Sequence, residues 1–275
     1  MDQPLIRRMT NTRTVLRCTA ATLAAAVVLT GCTDSESPGT DTTSEAVSPC
    51  ADDGSGRYRP PEQVCDATVV WSAEPGIDLF SPEATLVRAS IEADRIAGYA
   101  GPEVTYPGYM DAVEPRKAEF YEDATVYRGT HSGTIQVHIQ QIQPTEDGFH
   151  AKFCALTNAS TSLRKFGDGR TYISSYDRGV AADVRLARIG DEAAEFDAGP
   201  YEPAPDRLHW QAPTGNLFDS WQVYFPSGED SAHRAACDAW ALSLYPDAPA
   251  ENENVFLDAP LPAQPAYPGW PAPPV

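Results

Sequence analysis

Basic residues are scarce in this chain, and lysine is the scarcest of them. Of 275 residues, 20 are Lys or Arg and 39 are Asp or Glu, which gives a formal net charge of −19. The lysines number three, Lys117, Lys152 and Lys165. A surface this acidic repels nucleic acid, because that binding depends on Lys and Arg neutralising phosphates. We therefore expect no nucleic-acid partner.

The sequence also lacks the short patterns of common cofactor and metal sites. It has no glycine-rich phosphate loop, no C-x2-C pair and no acidic segment with the ligand spacing of a calcium loop. The segment 129–133, Gly-Thr-His-Ser-Gly, differs from a nucleophile elbow because its serine is fourth and it precedes a predicted antiparallel strand. We expect neither a cofactor nor a metal.

No apolar run at the amino terminus is long enough to span a membrane, which takes about 20 residues. Residues 18–30 form an uncharged run of 13, behind Arg7, Arg8, Arg13 and Arg17. A positive segment followed by a short apolar core is typical of a signal peptide. A start at Met9 would leave the same signal, so Met1 and Met9 both stay open as the first residue.

The apolar run ends in Leu29-Thr30-Gly31-Cys32. This resembles the lipobox of bacterial lipoproteins, and the resemblance implies cleavage after residue 31 and attachment of palmitate-type lipid to Cys32. Several acyl chains anchor stably, since each buried methylene contributes about 0.8 kcal/mol. The implied location is the extracytoplasmic face of the cell membrane. The mature chain would hold 16 basic and 38 acidic residues, so we expect membrane contact through the lipid alone.

Composition divides the chain into four parts. Residues 1–31 are the predicted lipoprotein signal peptide, and 32–49 form a polar, flexible tether. Residues 50–245 form the predicted domain. Residues 246–275 contain nine prolines and form a Pro-rich tail. Phe256, Tyr267 and Trp270 indicate that part of this tail packs on the domain.

The middle of the chain predicts an α+β domain. Ser81-Pro82-Glu83 is a helix start and predicts a helix over 82–97. Residues 134–139 alternate, and Ile142 breaks the alternation, which predicts a bulge near 140–141. The turn at 145–148 then makes a hairpin. Further strands are predicted at 149–156, 170–176, 183–189, 207–211 and 221–225, and a late helix at 229–244, so we expect an N-terminal helix, an antiparallel curved sheet of about six strands and a late helix.

One segment of the predicted sheet resembles a known family. Residues 133–177 are similar to the long curved hairpin of secreted NTF2-like (cystatin-like, cone-shaped) domains of high-GC Gram-positive bacteria. The resemblance is carried by Thr-Ile-Gln-Val-His-Ile at 134–139, Asp-Gly-Phe-His-Ala at 147–151, Phe153-Cys154 and Gly169-Arg170. It implies a cone with an interior pocket, of the kind in which isomerases and dehydratases of that superfamily hold buried polar groups.

Four cysteines remain once Cys18 leaves with the signal and Cys32 takes lipid: Cys50, Cys65, Cys154 and Cys237. An even number in an exported protein indicates disulfides, and four cysteines allow three pairings. We favour Cys50 with Cys65, closing a small loop, and Cys154 with Cys237, joining the hairpin to the late helix.

Two pairs of residues are candidates for a pocket. His138 and His150 lie on the two arms of the predicted hairpin, where either would serve as a general base. Ordinary solvent-facing strand histidines are the favoured interpretation, because no acidic partner is evident. Tyr106 and Tyr109 flank Pro-Gly and are candidates for a pocket mouth, although a packed turn is favoured.

Two functions follow from these patterns. The leading hypothesis is a non-enzymatic cell-envelope lipoprotein whose domain binds a small apolar ligand or an envelope protein. The alternative is a pocket enzyme, an isomerase, dehydratase or hydrolase, on an NTF2-like cone.

Overall fold

A computed structural model of the chain describes residues 48, 50–51, 54–123, 128–166, 169–190, 204–228 and 230–271. The predicted signal peptide, the lipobox with Cys32 and most of the predicted tether lie outside the described residues.

The described residues form four helices and seven strands, which confirms the α+β class. The helices are α1 (Pro82–Tyr99), α2 (Tyr109–Ala112), α3 (Pro115–Asp123) and α4 (Ser231–Leu244). The strands are β1 (Ala67–Ala73), β2 (His131–Thr145), β3 (Gly148–Phe166), β4 (Gly169–Tyr176), β5 (Val180–Arg188), β6 (Trp221–Tyr224) and β7 (Glu253–Leu257).

The sheet is mixed, curved and not closed, so the prediction of an antiparallel sheet is wrong. β1 runs parallel to β2, from Ala67 opposite Gly133 to Ala73 opposite Ile139, whereas the other strand pairs are antiparallel. Parallel neighbours need a long crossover, which the segment containing α1, α2 and α3 supplies. β1 was missed because it is buried along most of its length and does not alternate in polarity.

β3 is the centre of the sheet. β2 lies along one side of it, and the predicted bulge is confirmed by the register shift between Ile139 and Gln141. On the other side, β5 pairs with β3 between Gly148 and Ala155, and β4 pairs with its last residues from Ser162. β6 then extends from β5, and β7 from β4. The 19-residue length of β3 lets two strands share one edge.

Two helices cover opposite faces of this sheet. The face carrying Ile135, Val137 and Ile139 packs in the main core with α1, whose Ser81 cap accepts a hydrogen bond from Ala84 N at 3.2 Å. The prediction of a helix near 82–97 is confirmed by α1. The other face is covered by α4, where Trp240 stacks on His138 at 5.3 Å between ring centroids. Because side chains alternate along β2, Ile135, Val137 and Ile139 face the core with α1, whereas His138 faces α4.

The predicted late helix is confirmed by α4, which begins at Ser231. Its cap is Asp230, whose carboxylate accepts from the backbone N–H of Ala232 and His233 at 3.0 and 3.1 Å. Lys152 on β3 forms an ion pair with the same carboxylate. The hydrogen bond from Lys152, with the backbone bonds next, lowers the pKa of Asp230 to about 2. The cap thus also ties the helix to the sheet.

The C-terminal strap, residues 264–271, runs along the free edge of β1. Trp71 N donates to Tyr267 O at 2.7 Å, and Tyr267 N donates to Val69 O at 3.2 Å. The Trp270 side chain is buried, whereas the Phe256 and Tyr267 side chains are largely exposed. The predicted Pro-rich tail therefore packs on the domain through the strap, and it also contributes β7 to the sheet.

The predicted strand at 207–211 is wrong. Its backbone bonds run to two other segments: Trp210 N donates to Cys65 O at 3.0 Å, and Arg207 O accepts from Ala266 N at 2.7 Å. Because its partners come from the amino-terminal segment and the strap, the stretch joins no named strand of the sheet.

The structure holds the two disulfides favoured from the spacing, Cys50–Cys65 and Cys154–Cys237. We expect replacement of either pair by alanine to lower the free energy of unfolding, and the second pair to cost more. The sequence separations are 15 and 83 residues. Loop-closure entropy then gives about 3 and about 4.5 kcal/mol respectively. Urea unfolding of the two double-alanine variants measures which pair contributes more to the free energy of unfolding. Equal losses in the two variants would contradict the explanation by loop-closure entropy.

Candidate functional site

The interior on the α1 side of the sheet contains a buried carboxylate, that of Glu92. Trp71 Nε1 donates to its Oε1 at 2.8 Å, while Tyr106 Oη and Trp270 Nε1 donate to its Oε2 at 2.7 and 2.5 Å. We call these four residues the Glu92 network. The three donors come from β1, from the loop after α1 and from the C-terminal strap. One carboxylate therefore joins three segments that are distant in sequence.

A further indole extends the network. Trp210 Nε1 donates to Tyr106 Oη at 3.0 Å, and the same hydroxyl lies 2.9 Å from Gln211 O. Gln211 Oε1 in turn accepts from Trp270 N at 2.8 Å. The segment around Trp210 is thus fixed against both the network and the strap.

Arg88 places a second buried charge beside the network. Its guanidinium lies over the Trp270 ring at 4.6 Å from the centroid and donates to the carbonyl oxygens of Leu79 and Gly269. Burial raises the pKa of Glu92, while the positive charge of Arg88 and the three hydrogen bonds oppose that rise. Burial also raises the pKa of Tyr106, which keeps its hydroxyl a donor.

A surface cleft is lined by the indoles of Trp210 and Trp270. Its volume is about 200 Å³. Its aromatic lining is Tyr58, Trp210 and Trp270, and both tryptophans also line a small void of about 10 Å³ together with Glu92. We call it the Trp210–Trp270 cleft. The remaining lining residues are Cys50, Arg57, Arg59, Pro60, Ala204, Asp206, His209, Gln211, Ala212, Pro213, Thr214 and Pro271.

The polar lining of the cleft combines cationic groups with one carboxylate. Arg57 and Arg59 are among the lining residues. His209 Nδ1 lies 2.8 Å from Asp206 Oδ2, and Asp206 Oδ1 also accepts from Leu208 N at 3.1 Å. The negative charge of Asp206 is therefore engaged locally, and the cleft is less acidic than the chain as a whole.

The structure does not bring His138 and His150 together. In the hairpin, His138 lies opposite Cys154 and His150 lies opposite Gln143. His138 Nδ1 is 2.9 Å from Ser72 Oγ, and His150 Nε2 is 3.2 Å from Asp183 Oδ2. Both lie on the α4 side of the sheet, away from the Glu92 network and the cleft. The two imidazoles therefore do not share a pocket, because the bulge and the register place them four residue pairs apart.

Tyr106 and Tyr109 lie in the interior rather than at a rim. Tyr106 belongs to the Glu92 network. Tyr109 is fully buried, and its hydroxyl lies 2.8 Å from that of Tyr121, which donates to Asp94 Oδ1 at 2.6 Å. The packed turn, favoured over the pocket mouth, is the arrangement present.

Sequence reasoning missed the residues that form the site. Glu92 follows the polar spacing of an ordinary helix, and His209 and Trp210 stand in a stretch interpreted as a strand. The sequence around Glu92 does not indicate which groups donate hydrogen bonds to its carboxylate, since one of them, Trp270, is 178 residues away. The aromatic residues of the tail were the one available signal.

The sequence was compared with protein-family models, curated proteins and solved structures. None of the three comparisons gave a match. Across the part of the chain that the structure describes, none of the helices combines the length and apolarity needed to span a bilayer. The interpretation of the Trp210–Trp270 cleft therefore rests on its own geometry.

We expect Glu92→Gln to lower the free energy of unfolding by about 1 to 3 kcal/mol, because an amide leaves at least one of three buried donors without an acceptor. The raised pKa also predicts a pH trend. The folded state holds the Glu92 proton more tightly than the unfolded state. The ionised carboxylate therefore lowers the free energy of unfolding of wild type at high pH, and this loss disappears as the pH falls through the folded pKa. The stability gap between wild type and variant should widen on acidification.

Urea unfolding followed by tryptophan fluorescence between pH 8 and pH 5 measures both effects. Glu119→Gln, on the exposed side of α3, is the matched control and should change stability by less than about 0.5 kcal/mol. A gap that narrows as the pH falls would contradict the assignment.

Proposed function

We propose that the chain is a lipid-anchored binding protein of the bacterial cell envelope. Its mature part is tethered through Cys32 on the extracytoplasmic face, and the Trp210–Trp270 cleft receives a small ligand or one side chain of a partner. The cleft with its fixed aromatic floor is the observation that carries the binding role. The lipobox and the two disulfides, which are typical of exported proteins, support the location.

The size and lining of the cleft limit its occupant. Ligand sites for drug-sized molecules measure roughly 300 to 1,000 Å³, and this cleft is smaller, at about 200 Å³. Its lining is mostly apolar and aromatic, with Arg57 and Arg59 as cationic groups. A compact aromatic or aliphatic body carrying one carboxylate fits this pattern, since the apolar part packs on the indoles and the charge meets the guanidinium groups.

Rigidity favours binding here. The Trp270 indole is held by Glu92 and by Arg88, and the Trp210 indole by Tyr106. Side chains that are already fixed lose little entropy when a ligand arrives. The floor of the cleft is therefore pre-organised for a flat ligand.

We further propose that the fold is a distant variant of the NTF2-like cone. The long β2–β3 hairpin, its bulge after Ile139 and the packing of α1 in the core with one face of the sheet support this relation. The parallel strand β1 and helix α4 across the other face would then be additions particular to this chain.

A pocket enzyme remains the second candidate function, with different residues from those first considered. His138 and His150 lie away from the cleft. The Asp206–His209 pair lines it, and a carboxylate held against Nδ1 orients an imidazole for proton transfer at Nε2. The observation that favours hydrolysis is this pair alone.

The anchor is tested by metabolic labelling with an alkyne palmitate analogue in a bacterial host that processes lipoproteins. We expect label on wild type and none on Cys32→Ser, because the thioether needs the thiol. Cys18→Ser is the matched control, since this cysteine lies in the same segment outside the lipobox, and it should label fully. Label retained by Cys32→Ser would contradict the lipidation site.

The cleft is tested with 2-naphthoate as an aromatic carboxylate probe, titrated into the polypeptide Thr33–Val275, which omits the signal peptide and Cys32, while tryptophan fluorescence is followed. We expect saturable binding that Ala212→Phe abolishes by filling the cleft, and that Arg57→Gln weakens severalfold. The neutral 2-naphthamide should also bind more weakly than the acid, because it lacks the charge that meets the arginines.

Two matched controls lie outside the cleft. Phe256→Ala removes an exposed aromatic ring, and Arg116→Gln removes an exposed guanidinium. Both should bind like wild type. Binding that survives Ala212→Phe would reject the cleft as the site, whereas turnover of 2-naphthyl acetate that is lost in His209→Ala would favour the hydrolase.

A further inference from the structure

Three metal-ligand side chains meet between α4 and the sheet, on the face away from the cleft. His233 and Cys237 lie one turn apart on α4, and Cys154 faces them from β3. One potential ligand atom of each lies within 4.8 Å of the others, and all three residues are buried. The two sulfurs are joined as a disulfide in this structure.

The imidazole of His233 is placed between two acceptors. Its Nδ1 lies 3.2 Å from Asp183 Oδ1, and its Nε2 lies 3.2 Å from Phe153 O. A neutral imidazole carries one proton, so one nitrogen directs a lone pair at an oxygen unless a cation lies between them. With the proton on Nδ1 and donated to Asp183, the Nε2 lone pair is available on the side where Cys237 Sγ also approaches Phe153 O, at 3.9 Å.

This arrangement matches the surroundings of a zinc-ligating histidine. Such histidines usually donate their second nitrogen to a carboxylate, which fixes the ring and strengthens the ligand. Asp183 occupies that position, and its other oxygen lies 3.2 Å from His150 Nε2. Thiolate and imidazole together favour zinc over the oxygen-seeking cations magnesium and calcium.

We propose that the dithiol form of the protein binds one zinc ion between Cys154, Cys237 and His233. The carbonyl oxygen of Phe153 completes four donors. The disulfide and the zinc site exclude one another, because the same two sulfur atoms make both. The redox state of this pair therefore decides whether the sheet and α4 are joined by a covalent bond or by a metal.

The conversion balances with a dithiol or phosphine reductant. A dithiol gives two electrons and two protons to the Cys154–Cys237 bond, so the S–S bond breaks, two thiols form and the reductant becomes a disulfide. A phosphine gives the two electrons while one water supplies both protons and its oxygen, so the reductant becomes a phosphine oxide. Zinc then displaces one proton from each thiol to solvent as two Zn–S bonds form, and His233 binds through Nε2 while keeping its proton on Nδ1. Because both sulfurs are buried, reductant and metal enter only when α4 opens from the sheet.

The test uses the full chain in detergent with Cys18, Cys32, Cys50 and Cys65 each replaced by serine, so that Cys154 and Cys237 are the cysteines that remain. The protein is reduced with a phosphine, desalted anaerobically and titrated with zinc, with bound metal counted by plasma mass spectrometry. We expect one zinc per reduced chain and none per oxidised chain. Cobalt in place of zinc should give thiolate charge-transfer and tetrahedral d–d bands.

Variants separate this site from binding by two thiolates alone. We expect His233→Ala to weaken zinc binding at least tenfold and Asp183→Asn to weaken it severalfold, with the cobalt bands altered in both. His209→Ala removes a histidine that is paired with Asp206 on the cleft side, away from α4; it is the matched control and should bind zinc like the parent.

The result can be interpreted whether or not the reduced chain stays folded. If the reduced chain unfolds and one equivalent of zinc refolds it only while His233 is present, followed by circular dichroism, the proposal is supported. A reduced chain that takes up no zinc, whether folded or not, overturns it. Equal zinc affinity in His233→Ala and His209→Ala overturns it as well.

Discussion

The hydrogen bonding of one buried carboxylate, that of Glu92, holds the described fold in a single arrangement. Removing a carboxylate from water is costly unless hydrogen bonds to the charge replace its hydration. Here the replacements are the indoles of Trp71 and Trp270 and the phenol of Tyr106. None of the three segments that carry them can satisfy the carboxylate alone, so β1, the loop after α1 and the C-terminal strap become ordered together. The cleft takes its floor from the same bonds.

The parts of the fold that the sequence predicts are those with local causes. Ser81 and Pro82 mark the start of α1, the turn at 145–148 closes the hairpin, and Ile142 reveals the bulge. These features depend on neighbours a few residues apart, and the structure agrees with each. The α+β class follows from them, since a helix, a hairpin and a late helix leave few other architectures.

What the sequence does not predict depends on distant partners. β1 is parallel and almost fully buried, so it lacks the alternation that identifies a strand. Residues 207–211 have the composition of a strand, yet their hydrogen bonds go to the amino-terminal segment and the strap. Glu92 occupies a polar position in a helical pattern, where exposure is the ordinary expectation. The candidate site is made largely of such residues, so the sequence points to Tyr106 and Trp270 among its members but to neither of them as a partner of Glu92.

The structure explains why arginine outnumbers lysine in this chain. A guanidinium offers several donors in a plane, which suits it to join backbone carbonyl groups where water is excluded. Arg88 bonds the carbonyls of Leu79 and Gly269, Arg207 bonds that of Ala266, and Arg234 bonds that of Gly179. A lysine in these places would supply one compact charge without the planar set of donors. Several of the few cations in this acidic chain thus connect segments of the structure.

The position of the C-terminal strap has a consequence for how the molecule is made. A polypeptide leaves the ribosome, and crosses a membrane, with its amino end first. The edge of β1 and the carboxylate of Glu92 come early in that order, whereas Trp270, which bonds the carboxylate, follows 178 residues after Glu92. While the strap is missing, the edge of β1 is open, and open strand edges favour pairing with other chains. Docking of the strap therefore protects this edge as well as burying Trp270.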